Sequence, residues 1–518
     1  MSDGLGAEPG GEAFRRRAAD VAELIARYHL GLETAKPVRC PREPGALLDA
    51  LPAAPPEEGE PWERVLGDVE RLVLPGLTHW QAPGFFAYFP ANASGPSMLG
   101  EFLGAGLGVQ GMLWQTSPAC TELETRVLDW TAGMIGLPEA FLSTATDGAG
   151  VATGGGVIQG TASEAVLVAI VAARERVGRA IGESPLAGPT VYVSSEAHSS
   201  VVKAARICGL GDAALRGVPV RGDRSMDAAA FEEMLRADLA AGRRPVFVNA
   251  TLGTTSTGGF DPLEEIGSAI DRVFGGRGER ADRPWLHVDA AWAGSAFVCP
   301  ELRGPLAGVE RADTFNFNPH KWLLTNFDCS ALFTRDRPAL VGALSITPEY
   351  LRNRASDAGS VIDYRDWQVP LGRRFRALKL WFVIREHGAA GLRSYIRGHV
   401  EMAERAEARV RASAELELTH RRSLSLVCLR GRGLSDEGSA AMLERVNASG
   451  EVFLTHTSAA PDPAVRSGAG YGEGDGGGDG GGRHVVRLAI GGVRTRWSHV
   501  ERALELLESA AAAERGAR

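Results

Sequence analysis

Between residues 190 and 334 five short β-rich runs alternate with helical patterns, and that alternation is the tightest constraint on the fold. The runs are Thr190 to Ser194, Val246 to Thr251, Trp285 to Ala290, Asp313 to Phe317 and Ala331 to Thr334. Helical spacing fills Ala162 to Arg174, His198 to Cys208, Asp227 to Ala241 and Leu263 to Val273. Strands joined through helices return parallel to one another. The expected fold class is therefore α/β, with a mainly parallel, doubly wound sheet that gathers ligands at the carboxyl ends of its strands.

The flanks differ. Residues 12 to 30 have helical spacing (Phe14, Val21, Ile25, Tyr28), a Pro-rich connection runs from Pro37 to Pro61, and a second helix from Trp62 to Leu74 leads to the aromatic segment Trp80 to Pro90. With helices but little sheet, this part needs a surface to pack on, and a second subunit is the expected one. Ser117 and Pro118 open a further helix, whose Leu123, Val127, Trp130 and Met134 share a face until Gly136 and Pro138 end it. After a helical stretch from Arg373 to about Ala412, strand-like Leu416 to Thr419, Leu424 to Leu429, Glu451 to Thr457 and Val485 to Ile490 are mixed with two helices, as in a small α+β domain. The expected division is an N-terminal helical segment (1–95), a large α/β domain (96–395) and a small C-terminal domain (396–518). Within the last, residues 467–483 are nearly all Gly with Asp and Glu and read as a disordered surface loop. One Asp-Gly-Gly-Gly copy is too short for a calcium-binding β-roll.

Charge and cysteine usage exclude several classes of function. A formal net charge of -8 leaves no basic footprint for nucleic acid. The start, Met1 to Gly11, is polar and Gly-rich without an apolar core of signal-peptide length, and no later apolar run approaches a membrane span, so the expected setting is the cytoplasm. Six cysteines (40, 120, 208, 299, 329 and 428) lack metal-like spacing and read as free, mostly buried thiols, and no metal is expected. The sequons at Asn92 and Asn447 are chance matches without a secretory signal.

Among fifty-six basic residues only four are lysines, at 36, 203, 321 and 379. Lys321 follows the run ending at Phe317, in Asn318-Pro319-His320-Lys321-Trp322, and lysine alone of the basic side chains condenses with an aldehyde or loses its proton near neutral pH. An ordinary surface lysine is the alternative. Gly154 to Gly156, followed by Val157 to Gly160 and then Thr161-Ala162-Ser163 at a helix start, offers backbone N–H groups and hydroxyls to a phosphate; a plain tight turn has the same composition. Asp289 ends a run expected to be buried, where a carboxylate needs either a donor such as a pyridinium nitrogen or a structural arginine. His198 at a strand-to-helix junction can stack on a planar ligand or act as a cap, and Thr254-Thr255-Ser256 can supply hydroxyls or merely turn the chain. A phosphate cradle, a stacking imidazole, a carboxylate for a ring nitrogen and a Schiff-base lysine are together the parts of a pyridoxal phosphate site.

The chain resembles the group II pyridoxal-phosphate decarboxylases, and within them the aromatic-L-amino-acid decarboxylase branch. The resemblance is carried by FFAYFPANAS (85–94), SPACTELE (117–124), GGGVIQGTASEA (154–165), AHSSVVKA (197–204), TLGTTSTGGFD (251–261), HVDAAWAGSA (287–296), FNFNPHKWLLTNFDCSA (315–331) and DYRDWQVPLGRRFRALKLWF (363–382). These stretches are collinear and the resemblance covers roughly residues 12–510. It implies an aminotransferase-like, fold type I homodimer with active sites at the subunit interface. In it Lys321 would hold the cofactor as a Schiff base, Asp289 would bind the pyridinium nitrogen, and His198 and Ala291 would lie on opposite faces of the ring. Thr161, Ala162, Ser163, Asn318 and His320 would serve the phosphate side, and Thr255 the ring hydroxyl or the substrate carboxylate.

The same resemblance implies decarboxylation of an aromatic L-amino acid to the aryl-ethylamine and CO2, with Tyr350 on a lid of about residues 343–360 returning a proton to the carbon that loses CO2. Relatives with Phe at that position behave as aldehyde synthases. The implied substrate pocket comprises Trp80, Tyr88, Phe89 and Pro90, with Gln110, Met112, Leu371 and Gly372 from across the interface. Aromatic walls without an added cation favour an aromatic side chain, and Gly372, where some relatives carry Ser, leaves room for catechol or indole rings. Tryptophan is the favoured substrate, with tyrosine and DOPA next. An aldehyde synthase, a decarboxylase of another amino acid, and a non-catalytic cofactor-binding or scaffold protein are the alternatives.

Overall fold

A computed structural model describes residues 10–34, 36–182, 187–275, 282–346, 348–352, 354–357, 359, 361–465 and 482–516, without the side chains of Tyr350 and Asp357. The expected loop at 467–483 lies almost wholly outside the described residues, and so does the Tyr350 side chain.

Among the described residues, seven strands form the larger sheet: β1 (Gly155–Gln159), β2 (Pro189–Ser194), β3 (Leu215–Val218), β4 (Arg244–Thr251), β5 (Trp285–Asp289), β6 (Thr314–Phe317) and β7 (Ser330–Thr334). Their order is β1-β7-β6-β5-β4-β2-β3. Strands β3, β2, β4, β5 and β6 run parallel, while β7 is antiparallel to both β6 and β1. The chain steps outward from β2 to β3 and then crosses to β4 on the other side of β2, so the strand order reverses at β2. In an open α/β sheet that reversal opens a crevice at the carboxyl ends of the strands. Helices cover both faces, which is why β1, β5, β6 and β7 are buried along their whole length, polar residues included.

The Gly-rich segment departs from its sequence reading. It is not a loop but β1, and its glycines serve close packing: Gly155 has φ 145°, and a Cβ on Gly156 would fall 2.8 Å from the ring of Phe333. Strand β3 and the helix Gly95–Leu107, neither of them expected, carry weak apolar patterns. The helix after β2 begins at Ser200 rather than His198, which leaves His198 on the connecting turn.

A second, antiparallel sheet has the order β10-β11-β9-β8 and is made of β8 (Leu416–Leu418), β9 (Leu426–Gly431), β10 (Thr455–Ala459) and β11 (Arg483–Ala489). Helices Asp436–Ala448 and Trp497–Gly516 pack on it. The strand expected at Glu451 to Thr457 starts only at Thr455, because Phe453 pairs instead with the N-terminal strip. There Phe86 N donates to Phe453 O (2.9 Å) and Ala489 N donates to Phe86 O (3.2 Å). Residues 85–87 thus find their packing surface within the same chain, with Phe86 buried in the core of the small sheet. The long helix Ala377–Ala412 bends at Gly388 (φ 60°, ψ 170°) and joins the two sheets.

Candidate active site

Four strand ends converge on one crevice. The turn after β2 carries His198, the turn after β4 carries Thr255 and Ser256, β5 ends in Asp289, and the single-turn helix Pro319–Trp322 after β6 carries His320 and Lys321. Register explains the meeting: Thr251 pairs with Asp289, and Asp289 with Asn316, so the three strands end level.

The crevice holds a cavity of about 620 Å³, lined by Trp80, Tyr88, Phe89, Ala91, His198, Thr255, Ser256, Trp292, His320, Lys321, Phe327, Thr455, His456, Thr457 and Arg487. Its volume and mixed lining are those of a small-molecule site. Trp80 stacks on Tyr88 (5.5 Å between ring centroids), and Phe89 stacks on Trp292 (4.8 Å), whose indole N–H donates to Gly253 O (2.7 Å).

Lys321 is half-buried at the cavity wall, and desolvation pulls its amine's pKa below the ordinary lysine value. Asp289 opposes that shift and the Arg487 cation adds to it. Lys321 is therefore not an ordinary surface lysine. Asp289 accepts from Ala291 N (3.0 Å) and has no arginine partner among the described residues, so it is not a structural acid paired with arginine. His198 feels both Asp289 and Lys321, and burial lowers its pKa. Its Nδ1 accepts from Ser200 N (3.1 Å), so it caps the following helix while its ring lines the cavity. His320 Nδ1 accepts from Cys329 N (2.9 Å), which places the ring proton on Nε2; burial pushes its pKa down to about 3, so it stays a neutral donor.

The remaining expected residues divide. Thr161 caps the helix Ala162–Ile181, accepting from Glu164 N (3.4 Å), and so leaves Ala162 and Ser163 in its first turn. Asn318 is 3% exposed, yet its Oδ1 has no partner among the described residues. Ala291 follows Asp289 and accepts from Asn318 N (2.8 Å), and Pro90 adjoins Phe89. Gln110, Met112, Leu371 and Gly372 do not line the cavity within one chain. They form a separate cluster, in which Gln110 Oε1 accepts from Arg373 N (3.0 Å) and Met112 O accepts from Arg365 N (3.0 Å).

Arg487, His456, Thr455, Thr457, Trp292 and Phe327 line the cavity without having been anticipated. Arg487 is the most consequential. It is 5% exposed, its Nε donates to Ser256 O (3.0 Å) and Nη1 to Thr455 Oγ1 (3.4 Å), and no carboxylate pairs with it among the described residues. A cation in the otherwise apolar run Val485 to Ile490 was the signal that could have revealed it.

The model of the pyridoxal-dependent decarboxylase conserved domain matches residues 44–432. The chain belongs to the pyridoxal-dependent decarboxylase family. Curated relatives include the aromatic-L-amino-acid decarboxylase of Mus musculus, 47% identical over 449 residues (85% of this chain, 90% of that protein). Tryptophan decarboxylase 2 of Oryza sativa subsp. japonica is 41% identical over 530 residues, covering 98% of each. Among solved structures, Oryza sativa TDC with PLP and tryptamine superposes with a TM-score of 0.88 at 38% identity, over 98% of this chain and 99% of that one. The family's fold type I architecture is the mainly parallel sheet described above.

The cofactor of the pyridoxal-dependent decarboxylases is pyridoxal phosphate, and the donor set here fits it. An amine of lowered basicity suits its aldehyde, an unpaired carboxylate suits its ring nitrogen, and the Asn318 amide with an unpartnered buried oxygen and the neutral imidazole N–H of His320 remain for polar groups. Among the described residues no helix is long and apolar enough to cross a membrane, and no cluster of side chains is arranged to hold a metal ion.

Proposed function

We propose that the protein decarboxylates an aromatic L-amino acid to the aryl-ethylamine and CO2, with tryptophan favoured over tyrosine and DOPA. The observation that carries this reading is the aromatic-walled cavity ending on the partly desolvated Lys321 amine. Pyridoxal phosphate, when bound, supplies the electron sink for the carbon that loses CO2.

The chain's own groups prepare that chemistry. Desolvation and Arg487 keep Lys321 uncharged more readily than a solvated lysine, so its nitrogen is available to attack an aldehyde carbon. The Asp289 carboxylate would hold a proton at the ring nitrogen of the cofactor, with His198 and Ala291 supporting the ring. The first turn of the helix Ala162–Ile181, with Thr161, Ala162 and Ser163, and the Asn318 and His320 side chains serve the phosphate. Thr255 and the unpaired Arg487 guanidinium face the substrate carboxylate, while Trp80, Tyr88, Phe89 and Pro90 exclude water and receive the ring. Tyr350 returns the proton.

A second copy of the chain completes the pocket with Gln110, Met112, Leu371 and Gly372. Exposed apolar residues on the helix Gly95–Leu107, namely Leu99, Phe102, Leu103 and Leu107, support a homodimer, which light scattering on the purified protein tests. Six free cysteines fit a cytoplasmic setting.

Incubating purified protein with tryptophan, tyrosine, DOPA and glutamate tests the function. The expected products are CO2 and the aryl-ethylamine, tryptamine fastest, with activity and the visible absorbance band both lost in Lys321→Ala. Aldehyde and ammonia as main products would overturn the reading. That alternative has one observation in its favour, since the phenylacetaldehyde synthase of Arabidopsis thaliana is 42% identical over 510 residues.

A further inference from the structure

Asn92 sits just before the helix Gly95–Leu107, 1% exposed, where three parts of the chain meet. Its backbone N donates to His320 O (3.0 Å). Its side-chain Nδ2 donates to the carbonyl of Lys321 itself and to Gly491 O (3.0 Å), and its Oδ1 accepts from Val493 N (3.0 Å). Two carbonyls against Nδ2 and an N–H against Oδ1 fix which end of the amide is which. Gln81 clamps both neighbours, donating to Ala91 O (2.6 Å) and accepting from Ala93 N (3.0 Å), so the amide is held from behind.

A second strut runs parallel to the first. Trp322, next to Lys321, donates through Nε1 to His399 Nδ1 (2.8 Å), and the other side of that imidazole bonds the Gly492 backbone. Both struts end on the turn Gly491–Val493, which directly continues β11, the strand that carries Arg487 into the cavity. Lys321 and Arg487 are like-charged groups in one buried space, with no carboxylate pairing Arg487 among the described residues, so their spacing must be imposed by something other than mutual attraction.

We infer that Asn92 is a positioning residue that fixes the spacing between Lys321 and Arg487 by pinning the lysine turn to the turn that follows β11. The inference rests on Lys321 being the cofactor-binding lysine. It explains how a group on a different sheet comes to depress the basicity of the Lys321 nitrogen, and why the N-terminal strip sits against the lysine turn. Without the Asn92 amide the like charges separate and the Lys321 nitrogen becomes more basic.

The test is a pH titration of the visible absorbance of the cofactor–lysine chromophore in the holoenzyme. Asn92→Ala, and Asn92→Ser in case the first variant does not fold, are both neutral and add no charge of their own. The expected midpoint lies about one pH unit above wild type, and cofactor is released faster on dialysis. Ser94→Ala, which removes the bond from Ser94 Oγ to Leu324 O (2.6 Å) and the cap that Ser94 Oγ accepts from Ser97 N (3.4 Å), lowers Tm but leaves the midpoint in place. Arg487→Met alone moves the midpoint upward too, and the double variant moves it no further than the larger single change, because both act through one spacing. A folded, cofactor-loaded Asn92 variant with the wild-type midpoint overturns the inference, as does full additivity with Arg487→Met. Failure of the underlying assignment looks different: wild type then shows no band that depends on Lys321.

Discussion

Lys321 and Arg487 divide the polar work of the cavity between an amine made less basic by burial and a guanidinium that keeps its charge without a counter-ion. A buried cation that lacks an ion-pair partner is stabilised when an anionic ligand arrives. Arg487→Gln should therefore raise KM for the amino acid by about tenfold or more, in keeping with the loss of a charged hydrogen bond of about 1.5–3 kcal/mol, while the affinity for the carboxylate-free amine product changes little. Steady-state kinetics paired with product inhibition reads both. Tyr350→Phe should keep substrate consumption but shift the products towards aldehyde, as measured by chromatography; unchanged products would remove Tyr350 from the proton-return step. At this scale legibility followed chemistry. Lys321, Asp289 and His198 were readable because each is an unusual residue at a strand end. Arg487 was missed because its one local mark, a lone cation in the apolar run Val485 to Ile490, is faint in a chain so rich in arginine.

Among the elements, the helix Pro118–Ile135 is locked to β1 by a buried charge cluster. Glu124 Oε1 accepts from Ile158 N (2.7 Å) and pairs with Arg373, which also donates to Ile158 O (2.9 Å); the two side chains are 3% and 1% exposed. Removing one partner leaves the other charged and buried. Arg373→Met should cost about 3–5 kcal/mol, seen as a lower urea midpoint, and the double change to Glu124→Gln with Arg373→Met should recover part of the loss. The helix Pro118–Ile135 itself was evident from Ser117, Pro118 and its periodic apolar face, with Gly136 as its stop. Strand β1 was hidden because three glycines signal a turn, and only tertiary crowding by Phe333 and Trp367 reveals that they make room for neighbours. Strand β10 was misplaced because Phe453 pairs with residues far earlier in the chain, a contact that no local pattern encodes.

For the molecule as a whole, three strongly depressed imidazoles contribute most visibly to the response to acid. Burial pushes His287 down to about 4, His320 to about 3 and His399 to about 4, against an ordinary value of 6.5. Between pH 6.5 and about 4 the unfolded chain binds protons that the folded one refuses, so stability falls as pH drops through that window, by about 1.4 kcal/mol per pH unit for each group. Asp261 acts in the opposite sense, because burial raises its carboxyl to about 7 from 3.8 and the folded chain holds a proton there that the unfolded one releases. It offsets about one of the three. Urea titrations at pH 6.5 and pH 5 should give a clearly lower midpoint at the lower pH, and His399→Gln should flatten the difference. The α/β class and the small α+β unit were visible from alternation alone; the joining of the two sheets was not, because it depends on pairings such as Phe86 with Phe453.

That strip also sets a timetable for synthesis. Phe86 and Asn92 leave the ribosome long before Gly491, which Asn92 must bond and which lies 399 residues later. At roughly 5–20 residues per second the wait is on the order of 20–80 s, with the buried faces of Phe85 and Phe86 uncovered throughout. The lysine turn cannot be held by the Asn92–Gly491 contact until Gly491 has been made, and a nascent protein cut short before β11 carries Lys321 without that contact and without Arg487.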